Sequence, residues 1–140
     1  MILYINTSIR NFLEFATIRD GDVFLLKRKV NLLQSEKALF LLDYLLKKYK
    51  FKLKDIEKII VNCGPGSFTS VRLGIVIANT LSYGLKIPVF GIDNIIIDKK
   101  GDYLNLVENK NLVKQEFVKP YYDREPDITK SNKLDKILKR

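Results

Sequence analysis

Apolar positions along the chain fall into short runs of strand type and two long runs of helical period. Ile2 to Asn6 is an apolar run closed by polar Thr7-Ser8, the pattern of a buried strand. Phe12 to Ile18 follows, Asp20-Gly21-Asp22 is a hairpin turn signal, and Val23-Phe24-Leu25-Leu26 opens a third strand, so the chain is expected to begin as an antiparallel meander. Gln34-Ser35-Glu36 precedes a helical period reaching about Tyr49, with Ser35 as the expected N-cap and acidic Glu36 in the first turn. On that helix Ala38, Leu39, Leu42, Leu45, Leu46 and Tyr49 share one face, while Phe40, Leu41 and Tyr44 form a second apolar arc. A helix covering only its own sheet would be polar there, so a second buried surface is implied.

Phe51 to Asp55 reads as a polar connection, and Ile56 to Val61 as a β-branched central strand delivered in parallel by the preceding helix. A second helix is expected from about Ser70 to Leu85, ending near Gly84, and Pro88 to Ile92 gives a fifth strand. The second helix is apolar almost all round. Val71, Ile75, Ala78 and Ser82 form an arc of mostly small residues, Leu81, Leu85 and Gly74 adjoin it, Leu73, Ile77 and Gly84 lie further round, Val76 and Tyr83 nearly close the circle, and Arg72 and Asn79 mark the polar stripe. Such a helix is buried on more than one side, and in a chain of 140 residues the second side is expected to meet another protein, the other reading being a helix sandwiched between the sheet and the chain's own tail. Beyond Asp93 the periodicity weakens: Ile95-Ile96-Ile97 is apolar, Lys99 to Asp102 is a turn, and Tyr103 to Val118 fits a helix or a hairpin. Pro120, Pro126 and the charges of Lys130 to Arg140 suit an extended segment and a short terminal helix. The expected division is a domain over 1–98 and a partly extended C-terminal segment over 99–140.

Chemistry narrows the picture. There is no histidine, and Cys63 is the single cysteine, so the usual zinc ligand sets, Ser-His and Cys-His pairs and an intrachain disulfide are excluded. The apolar start is too short for a signal or membrane segment, which leads to the expectation of a cytoplasmic protein with no membrane partner. The net charge of +9 would suit RNA, but it is spread: residues 1–98 hold 14 Lys/Arg against 9 Asp/Glu, a net +5, and residues 99–140 hold 11 against 7, a net +4. Lys27-Arg28-Lys29 reads as a solvated sheet edge or as a phosphate contact, and Tyr121-Tyr122 beside Lys119 and Arg124, the only cluster that resembles a stacking platform, reads as that or as solvated tail packing.

Between the fourth strand and the second helix stands Gly64-Pro65-Gly66-Ser67-Phe68-Thr69. Glycine-rich strand-to-helix loops bind anions, because free N–H groups and the positive helix end converge on them. No lysine follows these glycines as in a P-loop, and the dinucleotide spacing is absent. A rigid turn is the simpler reading, with Ser67 or Thr69 capping the helix and Phe68 held in a pocket; a phosphate site is the other.

The stretch Gly64-Pro65-Gly66-Ser67-Phe68-Thr69-Ser70-Val71-Arg72-Leu73-Gly74 resembles the G-P-G-S-F-T-G-x-R-I/L-G signature of the TsaB (YeaZ-type) family. Ile5-Asn6-Thr7-Ser8 is similar to that family's I-D-T-S opening, Ser35-Glu36 to its H-S-E helix start, Pro88 to Ile92 to its next strand, and Pro120 to Arg124 to its P-x-Y-x-R region. The resemblance implies an α/β, actin-like or ribonuclease-H-like mixed sheet. It also implies a non-catalytic scaffold role in forming threonylcarbamoyladenosine at position 37 of tRNA. The implied partners are a TsaD-type catalytic subunit, a TsaE-type ATPase subunit and, through the complex, tRNA; nucleotide and metal would sit on those partners and no cofactor on this chain. The partner interface is expected at Phe40, Leu41, Tyr44, Val71, Ile75, Ala78, Asn79 and Ser82, through which the chain alone could also form a homodimer. Three positions depart from the family pattern: Asn6 for Asp, Gln34 for His and Ser70 for Gly. The stretch after Asp93 is also shorter than the family's second subdomain, which implies a minimal version. The alternative is an actin-like nucleotide-binding ATPase or kinase relative using the Gly64-Pro65-Gly66 loop, for which Asn6 is a poor hard-cation ligand.

Overall fold

The computed structural model describes residues 1–120 except 32 and 96. The expectations for Ile96, for Tyr121 to Arg124, for Pro126 and for Lys130 to Arg140 therefore lie outside the described residues. β1 (Ile2–Asn6), β2 (Phe12–Arg19) and β3 (Asp22–Lys29) form the expected antiparallel meander. The β2–β3 hairpin turns through Asp20 and Gly21, both at positive φ, as a two-residue turn matched to strand twist requires. Helix α1 (Gln34–Lys48) carries the chain back so that β4 (Lys58–Asn62) pairs parallel with β1. Helix α2 (Phe68–Leu85) does the same for β5 (Val89–Ile92) against β4, giving the order β3-β2-β1-β4-β5.

Strand alternation divides the core into two layers. Leu3, Ile5, Leu13, Phe15, Ile59 and Val61 face α1 and α2, which cover one side of the sheet. Tyr4, Ala16, Ile18 and Ile60 face the other side, where a short helix α3 (Lys100–Glu108) lays down Tyr103 and Leu106. The Tyr103 to Val118 stretch thus begins as helix rather than hairpin. It then returns across the sheet edge, with a single bridge from Gln115 to Val89 and Val118 buried in the first layer. Asp102 accepts the backbone N–H groups of Asp98 and Lys99 at 2.9 and 3.0 Å and so caps α3; these bonds hold its carboxyl below the usual range.

Four local expectations are corrected. Helix α1 starts one residue earlier than Ser35, with Leu33 at the cap position and no side-chain cap, and Ser35 is exposed. Leu39, assigned to the sheet-facing side of α1, is exposed instead, because Ala38, Leu42, Leu45 and Leu46 already fill that side. Helix α2 starts at Phe68, because Ser67 caps it. It ends at Leu85 as expected, but Lys86 and not Gly84 takes the left-handed conformation that closes it.

Candidate functional site

The glycine loop is built to pack. Gly64 has φ of +113° and a cis bond to Pro65, its N–H donates to Asn62 Oδ1 at 2.9 Å, and its carbonyl accepts from Asn94 at 3.0 Å. A Cβ on Gly66 would lie 2.6 Å from the Ser8 carbonyl oxygen, so this glycine permits the loop to touch the end of β1. Ser67 Oγ accepts the Ser70 N–H at 3.3 Å and supplies the helix cap. Thr69, the other cap candidate, is exposed. Phe68 is not buried in a pocket: it is 40% exposed, and the Arg72 guanidinium one turn on sits 4.9 Å from its ring centroid.

The chain's Thr7-Ser8 and the motif helix lock together. Thr7, fully buried, donates its hydroxyl to the Ser70 carbonyl at 2.5 Å and accepts from the Gly74 N–H at 2.9 Å, bridging the two groups that an α-helical turn would otherwise pair. Gly74 is required for this approach, since a Cβ there would meet Thr7 Oγ1 at 2.6 Å. Two departures from the family pattern prove to be partners. Ser70 Oγ donates to Gln34 Oε1 at 2.8 Å, while Gln34 Nε2 donates to the carbonyls of Phe12 at 2.6 Å and Ile9 at 3.1 Å. Gln34 thereby ties the start of α1 to the β1–β2 loop and to α2.

Asn6, the third departure, has a comparable explanation. Its Oδ1 accepts from the Ser8 N–H at 2.9 Å and the Ser8 hydroxyl at 2.6 Å, and its amide nitrogen faces Glu14 Oε2 at 3.4 Å. Glu14 is itself buried and accepts a very short hydrogen bond from Tyr103 Oη. Burial first, then the bond to Glu14 and its charge, push the Tyr103 phenol well above its usual range; Tyr4, packed edge-on against Tyr103 with ring centroids 5.4 Å apart, is raised by burial and by Glu14. Above these groups, at the C-terminal ends of β1 and β4, lies a cleft of about 370 Å³ bounded by Asn6, Glu14, Lys27, Asn62, Asp98 and the Gly64-Pro65 turn.

The expected interface residues separate into two sets. Val71 (0% exposed), Ile75 (5%) and Ala78 (0%) belong to the chain's own core, because the small-residue arc of α2 is the side pressed on β1 and β4. That assignment to a partner is corrected. Asn79 is half-buried and exchanges bonds with the Val118 backbone, donating at 3.2 Å and accepting at 2.9 Å, so the chain after α3 covers the polar stripe it was expected to mark. Ser82 donates to the Ile87 carbonyl at 2.5 Å and closes the end of the helix. Leu41 is half-buried at the rim of the core. Phe40 (65% exposed) and Tyr44 (41%) do point outward, one turn apart on α1. The outward side of α2 runs instead through Phe68, Arg72, Val76 (57%), Thr80 and Tyr83 (80%), of which Val76 and Tyr83 only close the apolar circle in the sequence. Four-residue spacing from exposed Arg72 locates this stripe once one knows which arc the sheet takes.

Comparison with known proteins follows the same segment. The family described as TsaD, tRNA N6-adenosine threonylcarbamoyltransferase, matches residues 31–103. The TsaB tRNA threonylcarbamoyladenosine biosynthesis protein of Buchnera aphidicola from Schizaphis graminum is 35% identical over 97 residues, 69% of this chain and 46% of that protein. Its Bacillus subtilis counterpart is 43% identical over 42 residues, 30% of this chain and 18% of that protein. Among solved structures, YeaZ from Pseudomonas aeruginosa superposes with a TM-score of 0.62 at 25% identity, over 66% of this chain and 43% of that one. The sheet order and helix placement are accordingly those of the actin-like, ribonuclease-H-like fold, and the chain spans about half the length of these relatives or less. With its glycine motif and more than half its length inside the matched segment, the chain belongs to the family described as tRNA N6-adenosine threonylcarbamoyltransferase, and the relatives named above to which it is similar are TsaB (YeaZ-type) proteins.

Proposed function

We propose that the chain acts in threonylcarbamoyladenosine formation on tRNA as a non-catalytic subunit, docking through the outward side of α1 and α2 onto a TsaD-type catalytic subunit. The observation that carries this reading is the exposure of Phe40, Tyr44, Val76 and Tyr83 on a two-helix layer whose other side is already buried in the core. Aromatic side chains at that degree of exposure are the usual anchors of protein interfaces. The nucleotide-binding alternative has less support. The Gly64 N–H points inward to Asn62, the bare side of Gly66 is filled by Ser8, and the end of β1 offers a neutral amide already held by Ser8 and Glu14.

Co-expression with the catalytic subunit of the same organism should yield a one-to-one heterodimer by light scattering. The double substitution Phe40→Glu, Tyr44→Glu should weaken it by about 30-fold or more, since an interface anchor contributes roughly 2 kcal/mol or more. Leu25→Glu, an exposed position on β3, should leave affinity unchanged. Undiminished binding by the double variant would sink the assignment of this face.

A further inference from the structure

We propose that the segment Lys47 to Lys54 is an RNA-contacting surface that holds the phosphates of tRNA; the inference rests on the reading that this chain serves tRNA modification. The run Lys47-Lys48-Tyr49-Lys50-Phe51-Lys52-Leu53-Lys54 places five lysines in eight residues, all of them exposed, where α1 ends and the chain wraps toward β4. The negative end of a helix dipole accounts for Lys47 and Lys48, which stand in the last turn. It does not account for Lys50, Lys52 and Lys54, which lie beyond the helix.

Neighbouring acids are already engaged. Asp43 pairs with Lys47 at 2.8 Å, the Asp55 carboxyl accepts the Lys52 backbone N–H at 2.8 Å, and Glu57 lies 3.6 Å from the amino terminus. Lys48, Lys50, Lys52 and Lys54 have no ion pair among the described residues. Four unpaired cations along one short stretch of backbone suit a polyanion better than an isolated anion, and they repel one another unless one is bound.

The aromatic residues interleaved with them favour RNA over an acidic protein. Tyr49 and Phe51 are half-buried and anchored by Phe24, at centroid distances of 4.6 and 5.2 Å. Arg19 lies 5.8 Å from the Phe51 ring and Lys48 5.4 Å from the Tyr49 ring, so cations and ring planes share one surface. Rings held rigid beside cations are the arrangement on which unpaired bases stack. The patch is also continuous with the proposed partner face, because Phe40, Tyr44 and Lys48 follow one another at four-residue intervals along α1.

The test is a filter-binding titration of the full chain with a tRNA transcript at two salt concentrations. It compares the wild type, the variant Lys48→Gln, Lys50→Gln, Lys52→Gln, Lys54→Gln, and a control of equal charge loss, Lys29→Gln, Lys37→Gln, Lys86→Gln, Lys110→Gln. Circular dichroism checks that each variant is folded. The patch variant should bind at least tenfold more weakly, and its log–log salt slope should fall by about 3, while the scattered control changes less than twofold. Equal loss in both variants, or no binding by the wild type, overturns the proposal. So does equally tight, patch-dependent binding to phosphatidylserine vesicles or to polyglutamate. Heterodimer formation by the patch variant is measured in parallel. If even the wild type forms no heterodimer, the scaffold reading fails, and the tRNA titration still decides whether the patch binds RNA.

Discussion

Asn6 shows how one atom distinguishes the chemistry of this chain from that of the family pattern it resembles. The amide nitrogen faces a buried Glu14 carboxyl, so Asn6→Asp exchanges a donor for a second acid at the same 3.4 Å contact. The variant should lose roughly 2–4 kcal/mol at neutral pH, read as a lower urea midpoint, because a buried acid is then left against a like group. Tyr103→Phe removes Glu14's other partner and should cost about 1.5–3 kcal/mol by the same measurement. Gln34 and Ser70 extend the point. Each looks like an isolated exchange in the sequence, and only their hydrogen bond, across 36 positions, shows that the two fit each other.

At the scale of the element, two glycines of α2 should respond in opposite directions. Gly84→Ala meets nothing within 4 Å and should stabilise the chain by up to about 1 kcal/mol, the ordinary gain of alanine over glycine in a helix. Gly74→Ala drives a methyl group into Thr7, which is β-branched, fully buried and unable to swing away, so it should destabilise by about 1–3 kcal/mol despite the same propensity gain. Thermal unfolding of both variants checks the pair; a stabilising Gly74→Ala would show that the Thr7 lock yields. Ser67 as cap, the strand of each apolar run and the two crossover helices were legible, because those signals are local. The sheet-facing arc of α2 was not: a helix apolar nearly all round does not state which side its own sheet will take. Substituting Ala78, once a candidate for the interface, would therefore test folding and not binding.

For the whole molecule, alkaline pH is the revealing variable. Cys63 is buried at the end of β4, and burial, with the charge of Asp93 adding to it, pushes its thiol up to about 12 from an ordinary 9.0. Tyr4 and Tyr103 are shifted in the same direction. A group whose folded pKa is raised holds its proton longer in the native state, so its contribution is complete below the unfolded pKa and is lost as pH rises through the folded one. Stability should therefore fall between about pH 9 and pH 12. At pH 8 the native thiol should resist iodoacetamide and react only on unfolding; rapid native labelling would contradict its burial. The Lys47 to Lys54 run stands in full view in the sequence, yet its functional meaning depends on which acids neutralise it and where its rings are anchored. The sequence by itself determined the strand runs, the hairpin, the two crossovers and the family, since period, turn chemistry and a contiguous motif are properties of neighbouring residues. Only the tertiary structure decided which helix faces remain free, why Asn6, Gln34 and Ser70 are compatible with the fold, and that the motif glycines make room for Thr7 and Ser8. Those are contacts between residues far apart in the chain, and no local pattern encodes the distance between them.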